Sequence, residues 1–108
     1  GLYGELVTPF MQGYVVRVDM IDDDACGINV KLRHDYNITS LYCHLYKAVD
    51  LPKDTPVKPG DIIGYMGSTG ASTGAHTHLQ VAIYDIPVNP RIFLVGEPEA
   101  SSVTIPTF

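Results

Sequence analysis

Apolar and polar residues alternate along this chain with a period of two, in short bursts separated by turn-forming residues. Gly27 to His34 reads Gly-Ile-Asn-Val-Lys-Leu-Arg-His and sets Ile28, Val30 and Leu32 on one side. A β-strand has this pattern because successive side chains point to opposite faces of a sheet. Gly13 to Ile21 is a second burst, rich in valine and so prone to the same structure. Ile38 to Lys47 is a third, with Leu41, Cys43 and Leu45 on one face and Tyr42, His44 and Tyr46 on the other. In His76 to Tyr84, Thr77, Leu79 and Val81 share a face, and His76, His78 and Gln80 share its reverse. The pattern predicts strands over 13–21, 27–34, 38–47, 61–66 and 76–84. It places Val16, Ile28, Val30, Leu41, Leu45, Leu79 and Val81 in the core.

The breaks between bursts are equally legible. Asp22-Asp23-Asp24 ends the first strand and predicts a hairpin to the second. Three adjacent carboxylates lack the alternate ligand spacing, central glycine and distal glutamate of a calcium loop, so they read as a solvated turn. Asp35-Tyr36-Asn37 is the next turn, and the Asn-Ile-Thr sequon that it opens is read as part of it. Pro52, Pro56 and Pro59 predict an irregular connection over 48–60, closed by the turn Val57-Lys-Pro-Gly60. Asp85 to Pro90 reads as a proline-rich turn, since Pro87 and Pro90 end any central strand. The fold class expected is all-β and antiparallel, a roll or sandwich. One domain spans 1–95, and 96–108 is a polar tail or linker.

Composition narrows the function classes. At 45% apolar and 18% charged residues, the chain falls in the ordinary globular class. A net charge of −5 without a basic stripe argues against nucleic acid as a partner. No apolar run approaches membrane-spanning length, so no membrane insertion is expected, and no signal peptide opens the chain. The chain opens on Gly1. The absence of an initiator methionine is what a piece of a longer protein would show. Cys26 and Cys43 have no metal-finger spacing. A disulfide is one state open to them; with Cys43 assigned to the core face, a buried free thiol is the state expected.

Candidate chemistry lies in one stretch, where the Gly/Ser/Thr loop from Gly67 to Gly74 runs into His76-Thr77-His78. Two imidazoles roughly 7 Å apart on one strand face suit a metal ligand beside an acid/base group. Such a pair alone is equally a pair of half-exposed strand histidines. A third histidine, His44, on the polar face of another strand raises the weight of a shared site. His34, at a strand end beside Asp35, reads as an exposed histidine.

Five pieces in order carry a resemblance. Gly4-Glu-Leu-Val-Thr-Pro9 precedes Gly13-Tyr-Val-Val; then come Thr39-Ser-Leu-Tyr-Cys-His-Leu45 and Val57-Lys-Pro-Gly-Asp-Ile-Ile-Gly64. Gly67-Ser-Thr-Gly70 with Ser72-Thr-Gly74, His76-Thr-His78 and the closing Val88-Asn-Pro90 follow. From about Gly4 to Pro90 the chain resembles the lysostaphin/LytM-type zinc endopeptidases, which cut the peptide part of bacterial cell-wall peptidoglycan. The resemblance implies that His78 is a Zn2+ ligand. It implies that His76 and His44 are catalytic, orienting the attacking water and stabilising the oxyanion. The family's other two ligands, a His and an Asp in an H-x-x-x-D motif, stand just before the Gly-x-x-Val opening. The remaining metal ligands are therefore expected upstream of Gly1. The 108 residues by themselves are expected to bind zinc weakly or not at all, to be inactive as a peptidase, and to need that upstream segment as a partner. The implied substrate is a peptidoglycan peptide, and the implied location is extracellular, in the cell wall or on a phage particle. The alternative is a catalytically inactive relative that binds cell-wall peptides or a protein partner.

Overall fold

The computed structural model describes residues 4–22, 25–67 and 78–89. These form one antiparallel sheet of eight strands, with a single 3-10 turn at Asp35–Asn37. The strands are β1 (Leu6–Val7), β2 (Gly13–Asp19), β3 (Ile28–Arg33), β4 (Ile38–Ala48), β5 (Pro56–Val57), β6 (Gly64–Met66), β7 (His78–Ile83) and β8 (Ile86–Val88). The all-β, antiparallel expectation holds. The expected strands are present, though trimmed: the first ends at Asp19 and the fourth begins at Gly64. Gly1, where the expected domain begins, and the expected tail over 96–108 lie outside the described residues.

β4, eleven residues long, organises the sheet. A strand has two hydrogen-bonding edges. β3 takes one, from Arg33↔Thr39 to Ile28↔Leu45. The other edge is divided: β7 pairs with Ile38 to Cys43, and β6 pairs from Leu45 to Ala48. β2 continues beyond β3, and β5 and β1 close the two ends of the strand order. The core gathers under β4 and its neighbours. Val15, Val30, Leu32, Leu45 and Ile63 are wholly buried, and Tyr42, Leu79 and Val81 nearly so.

Strict alternation misplaces some core residues, and β-bulges are the reason. Val15↔Leu32 is followed by Arg17↔Lys31, so Val16 is the extra residue of a bulge. Val15 is therefore the core residue, and Val16 is half-buried. On β4, Ile38, Ser40 and Tyr42 face the core up to a bulge, after which Leu45 does. Leu41 is half-buried instead of core, and Ile28 is half-buried against the core's flank. One extra residue reverses every face assignment beyond it. Two turns also differ from expectation. The stretch 56–57 inside the irregular connection pairs with Gly13 and Tyr14. Asp85 to Pro90 contains β8, joined to β7 by a two-residue turn in which Tyr84 and Asp85 both have positive φ. That is the hairpin turn whose twist suits antiparallel strands. Pro87 is accommodated because β8 pairs with β7 and lies at an edge.

His34 is buried at 9% exposure, not exposed as its strand-end position suggested. Its Nδ1 lies 2.7 Å from the Gln12 carbonyl and its Nε2 lies 2.8 Å from Ser40 Oγ. Ser40 Oγ is 3.2 Å from Tyr42 Oη, which accepts the Phe10 N–H at 3.0 Å. A carbonyl can only accept, so Nδ1 carries the hydrogen of the neutral ring. Nε2 must then accept from Ser40, which leaves the Ser40 oxygen to accept from Tyr42. The chain of bonds runs from Phe10 through three side chains to Gln12 and leaves each donor matched. It ties the segment before β2 to β3 and β4. Phe10 packs edge-on against the imidazole, and a Cβ at Gly13 would strike the Arg33 carbonyl and that ring. Burial lowers the His34 pKa from its ordinary 6.5, against the opposing pulls of the Gln12 carbonyl and Asp35. Burial raises the Tyr42 hydroxyl to about 12.

The cysteines also differ from expectation. Cys26 and Cys43 form a disulfide, with Cα atoms 5.0 Å apart. Cys43 is buried as expected, but the hairpin β2–β3 folds back to bring Cys26 against it. That proximity is a long-range consequence of the β3–β4 register.

Two outcomes follow for the His34 network. Ser40→Ala leaves His34 Nε2 and the Tyr42 hydroxyl hydrogen unmatched in the interior, and urea denaturation should show a loss of about 1–3 kcal/mol. As pH falls below the ordinary value of 6.5, the unfolded chain protonates His34 while the folded chain resists. Stability is then lost as pH drops towards the depressed folded value and is retained above 6.5. Denaturation midpoints across this range should show that slope, and His34→Gln should remove it.

Candidate active site

His44 occupies the point where the divided edge of β4 changes partner. Among the described residues, β7 pairs with β4 as far as Cys43↔His78, and β6 begins at Leu45↔Met66. On the opposite edge, Tyr42↔Val30 is followed by Leu45↔Ile28, so three steps along β4 match two along β3. The extra residue forces a bulge. His44 has φ +61, the one positive value inside a strand among the described residues. Non-glycine residues hold such a backbone only where the surroundings impose it. Part of that imposition is visible: the His44 N–H donates to the Cys26 carbonyl at 2.7 Å. The residue is buried at 7% exposure.

Gly67 follows β6 and lies against Tyr46 so closely that a Cβ would strike the Tyr46 backbone nitrogen and Cα. His78 lies opposite Cys43, one residue before His44. Gly67 and His78 are thus each held to a residue within two positions of His44. His76 and the loop 68–77 lie outside the described residues. So does Gly1, and with it the point upstream of which the remaining ligands are expected. On β7 the expected alternation is present, with Leu79 and Val81 buried and Gln80 exposed opposite Leu41.

The expected grouping of Tyr42, His44 and Tyr46 on one polar face is not found. The bulge separates them: Tyr42 enters the core, while Tyr46 is 52% exposed. Sequence reasoning also missed Cys26 as a neighbour of His44. The available signal was weak, since two cysteines 17 residues apart are compatible with many pairings.

A cleft of about 350 Å3 lies elsewhere, lined by Gln12, Tyr14, Asp35, Val57, Lys58 and Asp61 among others. It sits by the Arg33↔Thr39 end of β4, roughly 17 Å along the strand from His44 at the usual rise per residue. Its Lys58 and Asp61 neutralise one another at 3.1 Å, and the Lys58 N–H and ammonium hold the Asp61 pKa down. The cleft adjoins His34 through Gln12 and Asp35 but is apart from His44.

Metal binding can be tested against the donors present. Among the described residues, no three His, Cys, Asp or Glu side chains gather to hold an ion. His34 is unsuited as a ligand because both its ring nitrogens are engaged by Gln12 and Ser40. The described residues therefore do not fit a complete zinc shell.

Comparison with known proteins bears on this geometry. Residues 2–90 match the model of peptidase family M23. The chain is 38% identical over 73 residues to the DD-carboxypeptidase/endopeptidase Mpg of Neisseria meningitidis serogroup B, covering 68% of this chain and 16% of that protein. It is 36% identical over 78 residues to the peptidoglycan DD-endopeptidase ShyC of Vibrio cholerae, covering 72% and 17%. The chain thus spans about a sixth of the length of these curated relatives. The catalytic domain of the antimicrobial peptidase lysostaphin from Staphylococcus simulans superposes with a TM-score of 0.74 at 28% identity, over 87% of this chain and 73% of that one.

The approach of Gly67 to β4 gives a direct test. In Gly67→Ala the new methyl meets main-chain atoms, which cannot swing aside as a flexible side chain can. A loss of about 1–3 kcal/mol is expected in chemical denaturation, with the largest amide shifts at Tyr46 and Met66.

Proposed function

The chain belongs to peptidase family M23, and from that premise we propose that it forms part of a zinc endopeptidase domain that hydrolyses peptide bonds of bacterial peptidoglycan. The observation that carries the reading is the divided edge of β4. It puts His44 between the rungs Cys43↔His78 and Leu45↔Met66. The rung Cys43↔His78 beside His44 supports a shared site for these two histidines.

In this reading His44 and His76 act on protons. An imidazole beside the scissile bond takes a proton from the attacking water, or stabilises the oxyanion and passes a proton to the leaving amine. Burial of His44 keeps bulk water from competing for its hydrogen bonds. His78 would be one zinc donor; zinc, when bound, supplies Lewis acidity towards water and the peptide carbonyl. The remaining donors, by the same resemblance, are a His and an Asp upstream of Gly1. These 108 residues by themselves then bind zinc weakly, because missing ligands leave the ion poorly held. The Cys26–Cys43 disulfide supports a location outside the reducing cytosol, in the cell wall, in the medium or on a phage particle.

The experiment compares this chain with one extended before Gly1 by an H-x-x-x-D segment. Metal analysis should find substoichiometric zinc in the first and one ion per chain in the second. Purified peptidoglycan should release new amino groups with the second alone. In the active form, His44→Ala should lower kcat by about 100- to 10,000-fold with zinc content unchanged. Stoichiometric zinc and digestion by the 108 residues would refute the ligand count. No digestion by the extended form would favour a binding module.

A further inference from the structure

We propose that the Cys26–Cys43 disulfide is the clamp that positions His44, and that its reduction releases His44 while the rest of the sheet stays folded. The functional consequence rests on the peptidase reading above; the structural claim does not.

Three observations converge on this. First, Cys26 holds two consecutive residues of β4 at once. Its sulfur is bonded to Cys43, and its carbonyl accepts the N–H of His44. Second, His44 is the residue that needs holding. It sits at a bulge with φ +61, between the last rung of β7 and the first of β6. Its amide partner is a residue of the turn before β3, not of a flanking ladder. Third, Cys43 is also the residue opposite His78. One covalent bond therefore braces the β4 side of that rung and the backbone of the neighbouring histidine.

The remaining sheet does not depend on this bond in the same way. Val15 donates to Thr55, and Ile63 donates to Val7, in regions tied by their own ladders and by the core. Opening the disulfide frees the turn around Cys26, and the bulge then loses one of the contacts that hold its left-handed backbone.

The chemistry is ordinary thiol exchange. A dithiol's thiolate attacks the sulfur of Cys26, the partly exposed member of the pair, and displaces the Cys43 thiolate, which takes a proton. The dithiol's second sulfur closes on the first and releases the Cys26 thiolate, which is protonated in turn. Two electrons and two protons pass to the protein, and the dithiol becomes a cyclic disulfide. In a reducing interior the chain would hold the dithiol form, with His44 loosened. In an oxidising exterior the bond forms and the site is set. Such a hydrolase is assembled by the compartment in which its substrate lies.

The test uses the 108-residue chain, 15N-labelled, with and without dithiothreitol. Amide hydrogen exchange at His44 should speed up by at least about tenfold on reduction, while Val15 and Ile63 change little, as expected for local opening. Cys26→Ala/Cys43→Ala should reproduce the result without reductant. Unchanged exchange at His44 would overturn the proposal. So would a uniform loss of protection across the sheet, which would make the bond a global staple. In the zinc-loaded extended form, reduction should lower kcat at least about tenfold with KM little changed, the split expected when a transition-state contact is lost. An unchanged kcat alongside selective exchange at His44 would overturn the catalytic consequence. An unaffected His44→Ala enzyme would instead sink the peptidase role of His44 and leave the exchange result to stand alone.

Discussion

One strand edge has to serve two partners, and the rest of the site depends on how it does so. Backbone donors and acceptors along β4 are spoken for by β3 on one side. On the other side they are shared between β7 and β6. Two strands cannot meet end to end on one edge without a break in the ladder. Among the described residues the change of partner falls at His44, and the β3 edge carries a bulge at the same place. The side chain placed there is an imidazole. Irregular backbone at a sheet interior is a familiar way to re-aim a side chain.

The β3–β4 pairing is fastened towards each end by a polar or covalent device instead of by apolar packing alone. Near its start, Ser40 and Tyr42 join His34 in a chain of hydrogen bonds that begins and ends on the segment before β2. Protonating His34 would turn Nε2 into a donor and reverse the Ser40 hydroxyl. The Tyr42 hydrogen would then lose its acceptor. That cost adds to the desolvation that lowers the His34 pKa, so the buried ring stays neutral for two reasons that act in the same direction. Near its end, Cys43 is bonded to Cys26. The two devices lie at opposite ends of the β3–β4 pairing and lock its register, and the register sets the position of His44.

The family relationship and this geometry reinforce one another at the level of backbone. The match runs over residues 2–90, and the lysostaphin catalytic domain shares the fold. The described residues contribute the scaffold and His44, with His78 placed by its rung opposite Cys43. They do not bring together a full set of metal donors.

The amino-acid sequence determined the class of fold and the family. Period-two alternation with proline and glycine breaks is a local property, and it located the strands carrying His44 and His78. The order of the glycine loop and the His-x-His pair, also local, pointed to the family. Tertiary structure decided the faces and the partners. Val15 replaced Val16 in the core, Tyr42 replaced Leu41, and His34 became a buried hub instead of an exposed end. Bulges caused the first two changes. A bulge is an extra residue of one strand relative to its partner, so it depends on the register between two strands, which no window of a single strand contains. The third, like the pairing of Cys26 with Cys43, depends on residues far apart along the chain meeting across the register of β3 and β4. The sequence supplies those side chains; their proximity exists only once the sheet has closed.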